Sequence, residues 1–372
     1  MIRYLTAGES HGDSLVGILE GMVAGVPVNE ESMTRALSLR KAHLGRSSRM
    51  ALEEEKIEIL SGIRNGLTTG APIAIRIRNK DVRDLEDYSP RPGHADLPGC
   101  LKYGFKDIHL VAERASARET VVRVALGTIA GNFLENFGIE LVSHTVKIGE
   151  VSVSRKYTFQ EIKERRLASS VYCVEKEAEK LMIETIKEAE TRGDTVGGIT
   201  EVRAKGILPG LGSFVHHDRR IEFRIGGALL AIPGVKGIEI GDTQVLGSLN
   251  NDSISGKKGY VRRATNHAGG IEGGMTNGEE IIIKLKVKPV PSLRMKVKSV
   301  DLRNFRPSFA PILRGDTCVV PSVGIIAEKV LALELTGYFL EKFGGDSLKE
   351  VRRNWLGYMK SMGALNRKNR KD

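Results

Sequence analysis

The chain has 372 residues, 41% of them hydrophobic and 28% charged, a balance that suits a globular protein with a large core. Cys100, Cys173 and Cys318 are scattered and form no CxxC pair, which excludes a disulfide framework and a cysteine zinc site and fits a reducing, cytoplasmic setting. No run of about 18 apolar residues marks a membrane span, and Glu9 interrupts the N-terminus before a signal-like stretch builds up.

Taken in order, Ser14 to Gly21 reads as strand, and a helix is expected from about Asn29 to Lys41. Asn29 is its cap, Glu30 and Glu31 lie in the dipole-favoured first turn, and Met33 and Leu37 share its buried face. Strand-like runs follow at Lys56 to Leu60 and Ile73 to Ile77. Ser116 and Glu119 have capping-box spacing, and Val122, Leu126, Ile129, Phe133 and Phe137 then repeat at helical intervals up to Gly138. Leu141 to Val146 reads as strand. Phe159 to Arg192 reads as a charged helical segment broken near Ser169 and Ser170. Further strands are expected at Ile199 to Lys205 and Glu280 to Lys288, where the polar residues alternate onto one face. An apolar helix from about Val323 to Phe343 ends at Gly344 and Gly345. Strands outnumber helices and do not alternate with them, so the fold class is α+β, not a doubly wound parallel sheet.

The net charge of +11 is uneven. Seven cations against Asp372 fall between Arg352 and Asp372, more than half of the excess, and read as a solvated basic end. With aromatics at 5%, that end offers only Trp355 and Tyr358 as stacking platforms for nucleic acid.

Gly8-Glu9-Ser10-His11-Gly12 matches the G-x-S-x-G nucleophile elbow, but an elbow needs a helix after the serine, and the run from Ser14 reads as strand. The stretches Gly206 to Gly212 and Gly269 to Gly274 fit neither the phosphate-binding loop nor the dinucleotide fingerprint. Arginines carry more information. Arg40, Arg46 and Arg49 lie in and after the first helix, Arg114 and Arg118 flank Ser116 at a helix start, and Arg314 interrupts two apolar segments. Each alone reads as a surface residue; at loop-to-helix junctions, where backbone N–H groups are free, they point together to phosphate. His11 and His94 are bracketed by chain-bending residues, as Ser10-His11-Gly12 and Pro90-Arg91-Pro92-Gly93-His94, the setting in which loops present catalytic side chains. Neither belongs to a metal-ligand spacing, so no protein-ligated metal is expected.

These segments together resemble the chorismate synthases. The resemblance is carried by Ala7 to Gly12, Gly45 to Met50, Arg91 to Asp96, Glu113 to Thr120, Gly193 to Gly198, Gly237 to Gly241, Gly269 to Gly278 and Lys288 to Leu293, and it runs along nearly the whole chain. The family reads Arg-Ser-Asp at Arg314-Gly315-Asp316, and Asn at His267.

The resemblance implies a single large domain over residues 1–345, a β–α–β sandwich, followed by a basic tail at 346–372. The expected assembly is a homotetramer. The substrate is expected to be 5-enolpyruvylshikimate 3-phosphate and the cofactor reduced flavin mononucleotide (FMNH2). By the same resemblance, His11 acts as acid toward the departing phosphate, His94 keeps the reduced flavin in its useful protonation state, and Asp316 helps move a proton. Arg49, Arg118 and Arg314 hold the substrate. Arg114, Ala115, Ser116, Pro233, Gly234, Gly273, Lys288, Pro289, Val290, Pro291, Ser292 and Arg314 line the flavin. Arg40 and Arg46 match positions linked to the nicotinamide dinucleotide NADPH. The chain carries no added dinucleotide-binding module, so a separate flavin reductase is expected as partner, with neither nucleic acid nor membrane. The alternatives are a basic nucleic-acid-binding protein and a flavin-independent phosphosugar lyase.

Overall fold

Period-two burial builds two antiparallel sheets, and apolar helices fill the space between them. The computed structural model describes residues 2–47, 55–243, 246–257, 260–313 and 315–362. The first sheet holds β1 (Arg3–Gly8), β2 (Ser14–Glu20), β3 (Ile57–Ser61) and β4 (Ile73–Arg78) in the order β1-β2-β4-β3. Leu15 and Leu19 of β2 and Ile73, Ile75 and Ile77 of β4 are buried on its inner face. Its outer face carries the exposed Leu5 and the ion pairs of Glu58 with Arg76 and Arg78.

The second sheet holds β5 (Glu140–Ile148), β6 (Val151–Ser152), β7 (Gly198–Lys205), β8 (Val235–Ile240) and β9 (Ile281–Val287), in the order β8-β9-β7-β5-β6. Among the described residues, the α-helices longer than one turn are α1 (Glu30–Lys41), α2 (Asp96–Tyr103), α3 (His109–Ala115), α4 (Thr120–Glu135), α5 (Phe159–Arg165), α6 (Lys176–Thr191), α7 (Ile221–Leu230), α8 (Val320–Phe343) and α9 (Leu348–Ser361), and a single helical turn stands at Gly247–Asn250.

The middle layer is α4 and α8. Helix α4 packs on β2 of the first sheet, α8 packs on β5 and β7 of the second, and the two helices pack on each other. Covered along most of its length, α8 is largely apolar, with Ile325, Leu331, Leu335 and Phe339 almost fully buried. Close approach at both sheet faces needs glycine. A Cβ on Gly17 of β2 would lie 2.1 Å from Val122 Cγ1, and one on Gly324 of α8 would lie 2.7 Å from Thr200 Oγ1. The α+β sandwich expected from the sequence is what forms. No helix among the described residues is long and apolar enough to cross a membrane.

Three expectations change. Ser116 and Glu119 form no capping box: Ser116 Oγ accepts from the Arg118 N–H at 3.3 Å, capping a 3-10 turn at Ala117–Glu119. The Glu119 carboxylate instead takes Arg123 and the Thr6 hydroxyl, and α4 starts at Thr120. The charged segment 159–192 breaks over a longer stretch than two serines, from Ser169 to Glu175. Part of the basic end is ordered, for α9 carries a Ser347–Glu350 capping box, and Trp355 meets the Phe137 ring edge-on at 5.5 Å. Residues 363–372 lie outside the described residues.

Candidate active site

The tight β1–β2 connection presents Ser10, His11 and Gly12. Gly8 turns the chain there at φ +101°, where an added Cβ would sit 2.3 Å from Ser14 O. Helix α3 supplies the partner. Glu113 Oε1 bonds His11 Nδ1 at 2.8 Å, and Oε2 accepts the His11 backbone N–H at 2.6 Å. Burial alone would push the Glu113 carboxyl up, but the His11 hydrogen bonds and charge outweigh it and hold the group below its usual range. On the other side of the ring, His11 Nε2 is 3.8 Å from Asp81 Oδ2. Ser10 is buried and accepts from the Ser116 hydroxyl at 3.2 Å. A strand, not a helix, comes after it, so the G-x-S-x-G segment is a hairpin turn and not a nucleophile elbow.

Beside this turn lies a buried arginine cluster. Arg118 Nε donates to Asn79 Oδ1 at 3.0 Å, and Asn79 Nδ2 donates in turn to the carbonyls of Glu9 and Gly12, tying the arginine to the His11 loop. Arg118 Nη1 and Arg40 both end on Glu55 Oε1. Arg46 Nη1 bonds Asp316 Oδ2 at 2.7 Å, while Asp316 Oδ1 accepts the Ser47 N–H at 2.7 Å. Among the described residues this neighbourhood sets three arginines against two carboxylates. His43 sits among them, pushed down to about 3 by burial and by the charge of Arg46, and its ring is therefore neutral. Among the described residues of this cluster, the Nε atoms of Arg40 and Arg46 are buried without a hydrogen-bond partner, against one unpaired buried carboxylate oxygen, Glu55 Oε2, a donor surplus that an anion would satisfy. Arg49 and Arg314 lie outside the described residues.

His94 is reached from the same cluster. A Cβ on Gly315, next to Asp316, would lie 3.3 Å from Ser292 Cβ, and Ser292 Oγ accepts from Arg91 Nη1 at 3.1 Å. Arg91 bonds Asp96 through Nε and Nη2, and Asp96 Oδ1 in turn accepts from His94 Nδ1, which the Arg91 guanidinium adjoins at 3.0 Å. Burial opposes charge on Asp96, yet His94 and Arg91 hold its carboxyl far below the usual range. Asp96 thereby fixes Nδ1 of His94 and leaves Nε2 to act. Lys288 Nζ donates to Gly93 O and its N–H to Gly234 O, and Thr195 donates to Val290 O, so Pro233 and Gly234 join the Lys288-Pro289-Val290-Pro291-Ser292 run beside His94.

Two further residues expected beside the flavin have protein partners of their own. Arg114 spends its guanidinium on Thr6 O and Thr6 Oγ1, each at 2.7 Å. Gly273 lies in a hairpin bonded to Ser213 and Ile221, and no hydrogen bond among the described residues joins that hairpin to the His11 or His94 loops. The surface trio His216, His217 and Asp218 brings ligand atoms within 4.8 Å of one another, apart from this site. Sequence reasoning assigns no role to Glu113, Asp96, Asn79 or Glu55. Asp96, two residues from His94, is the only one with a local signal; Glu113 is 102 residues from His11.

A two-sheet sandwich that gathers two carboxylate-held histidines and a buried excess of arginine is the framework of an enzyme for polyanionic small molecules. Comparison with known proteins gives the family. Residues 2–340 match the chorismate synthase family model. The chain is 43% identical to the chorismate synthase of Carboxydothermus hydrogenoformans over 97% of its own length and 99% of that protein. It is 44% identical to that of Alkaliphilus metalliredigens, over 96% and 99%. A solved chorismate synthase structure superposes with a TM-score of 0.81 at 35% identity, covering 97% of this chain and 98% of the other. The chain belongs to the chorismate synthase family, lyases of the shikimate pathway that require reduced flavin.

Proposed function

We propose that this chain removes phosphate and a ring proton from 5-enolpyruvylshikimate 3-phosphate by 1,4-anti elimination, giving chorismate, with reduced flavin mononucleotide as cofactor. The observation that carries the reading is the excess of arginine over carboxylate beside the His11 loop among the described residues, where the buried Nε atoms of Arg40 and Arg46 have no hydrogen-bond partner. The substrate bears a phosphate and two carboxylates and the flavin a further phosphate, and these groups fit that donor set. Reduced flavin, when bound, supplies transient electron density to the substrate ring.

The chain's own groups divide the remaining work. His11 Nε2 gives a proton to the departing phosphate, with Glu113 holding the ring through Nδ1. His94 Nε2 serves the flavin edge while Asp96 fixes its other nitrogen. Asp316, steadied by Arg46 and Ser47, moves a proton toward that edge. Arg49, Arg118 and Arg314 hold substrate, and Arg114 to Ser116, Pro233, Gly234, Gly273, Lys288 to Ser292 and Arg314 line the flavin. Arg40 and Arg46 are buried, with side-chain exposures of 2% and 10%, which favours the site's own anions over a dinucleotide as their ligand. NADPH then acts through a separate flavin reductase. We place the enzyme in the cytoplasm as a homotetramer, with residues 1–345 as catalytic domain and 346–372 as a basic extension.

An anaerobic assay tests this, following phosphate release and the product diene absorbance with and without dithionite-reduced flavin mononucleotide. Turnover only with reduced flavin is expected. Phosphate release without flavin would favour the phosphosugar lyase. No turnover, with folded protein and confirmed flavin reduction, overturns the reading and turns attention to salt-sensitive nucleic-acid binding.

A further inference from the structure

We infer that Glu113 is the positioning residue of His11: it selects the ring tautomer and turns Nε2 toward the reacting phosphate. The inference rests on the assignment of His11 as acid. Two bonds on one residue carry it. Glu113 takes the His11 side chain on one carboxylate oxygen, at 2.8 Å, and the His11 backbone N–H on the other, at 2.6 Å. The Glu113 carbonyl also accepts the Ser10 N–H at 3.2 Å. One glutamate thus sets where the loop sits and how its ring is turned.

A second carboxylate faces the other ring nitrogen, with Asp81 Oδ2 3.8 Å from Nε2. Glu113 is the closer of the two and also holds the backbone. It is an acceptor through and through, since its carboxyl is kept ionised by the very hydrogen bonds it makes. With the neutral ring donating Nδ1–H to Glu113, the nitrogen that gains and gives up the catalytic proton is Nε2. Remove the charge on Glu113 and the ring can turn toward Asp81, which takes the acidic proton away from the leaving group. His109, one turn earlier on α3, lies 3.5 Å from the same Glu113 oxygen, farther than the His11 ring.

Glu113→Gln keeps the shape and removes the charge; Glu113→Asp keeps the charge on a shorter arm. With substrate and reduced flavin, we expect Glu113→Gln to lower kcat by about 10- to 100-fold, with KM and flavin affinity within about twofold, and Glu113→Asp to recover part of it. In a His11→Ala background, Glu113→Gln is expected to cost nothing further. Equal losses in both backgrounds would overturn the inference, because Glu113 would then act independently of His11. Imidazole nitrogen NMR of the flavin-free protein, with the His11 signal assigned through His11→Ala, needs no turnover. It should report Nδ1–H in the neutral ring of the wild type and its loss in Glu113→Gln. An Nε2–H tautomer in the wild type, or no change on substitution, overturns the inference even where the anaerobic assay succeeds. If His11→Ala keeps full turnover while the tautomer result holds, it is the assignment of His11 as acid that fails, not the clamp.

Discussion

Arg118 Nη1 and Glu55 Oε1 are 2.7 Å apart at a point where both side chains are nearly removed from solvent, and Arg40 closes on that same oxygen. One carboxylate therefore serves two buried guanidinium groups, one from the last turn of α1 and one from the 3-10 turn before α4. Breaking a buried pair by removing one partner typically costs about 3–5 kcal/mol, because the other charge is left desolvated and alone. Glu55→Ala is expected to lower stability by that order in urea titrations of the ligand-free protein. Inorganic phosphate should recover part of the loss, since an anion bound among the freed arginines stabilises only the folded state.

His11→Ala is expected to lower turnover by about 10²–10⁴ without preventing folding, which is the usual contribution of a general acid. Steady-state rates with reduced flavin, alongside circular dichroism, check this. Turnover within about threefold of wild type would remove His11 from the reaction.

His43 links stability to pH. Its folded value of about 3 lies below the ordinary 6.5, so the unfolded chain binds the proton first as pH falls. The stabilisation is complete above pH 6.5 and is lost on acidification between 6.5 and about 3. From pH 7 to pH 5 this one group should cost about 2 kcal/mol. Denaturant midpoints measured across that range should show the slope, and His43→Gln should flatten it. An unchanged slope would mean that the ring is not held neutral.

Gly324 marks the contact between α8 and the second sheet. A Cβ there meets Thr200 Oγ1 and Ser143 Oγ at 2.7 and 2.8 Å, and both hydroxyls are already bonded, to His144 O and Glu328 Oε1. Gly324→Ala is expected to destabilise by about 1–3 kcal/mol through overpacking. Gly226→Ala in α7, where nothing lies within 4 Å, should instead stabilise by about 0.4–1 kcal/mol. Thermal melts of the two variants should move in opposite directions.

Elements with long, unbroken periodicity are legible from sequence: α4 and α8 stand within three residues of their expected positions, apart from Phe137, which lies past the end of α4. Two helices that the sequence does not announce, α2 and α7, contain their own contrary signals. Pro98 and Gly99 sit inside α2, and Gly226 and Gly227 inside α7, where tertiary packing overrides local preference. Strand β8 mixes Lys236, Gly237 and Glu239 with its apolar residues and stays hidden for the same reason. At the site, loop histidines and junction arginines announce themselves through their neighbours in sequence. Their carboxylate partners do not, because Glu113 and Glu55 acquire meaning only when the fold brings distant segments together.

Helix α8 packs on the second sheet and on α4, the helix that covers the first, yet it spans residues 320–343 and leaves the ribosome after every strand of both. At roughly 5–20 residues per second, the 265 residues from Arg78 to Phe343 take about 13–53 s, and the first sheet waits that long for the helix layer to be completed. Over that interval the growing chain holds two apolar faces with half of their shared filling missing. Sheet assembly therefore belongs to the last seconds of synthesis and after, and a chain cut short before Val320 is a target for chaperones and proteases, not a smaller enzyme.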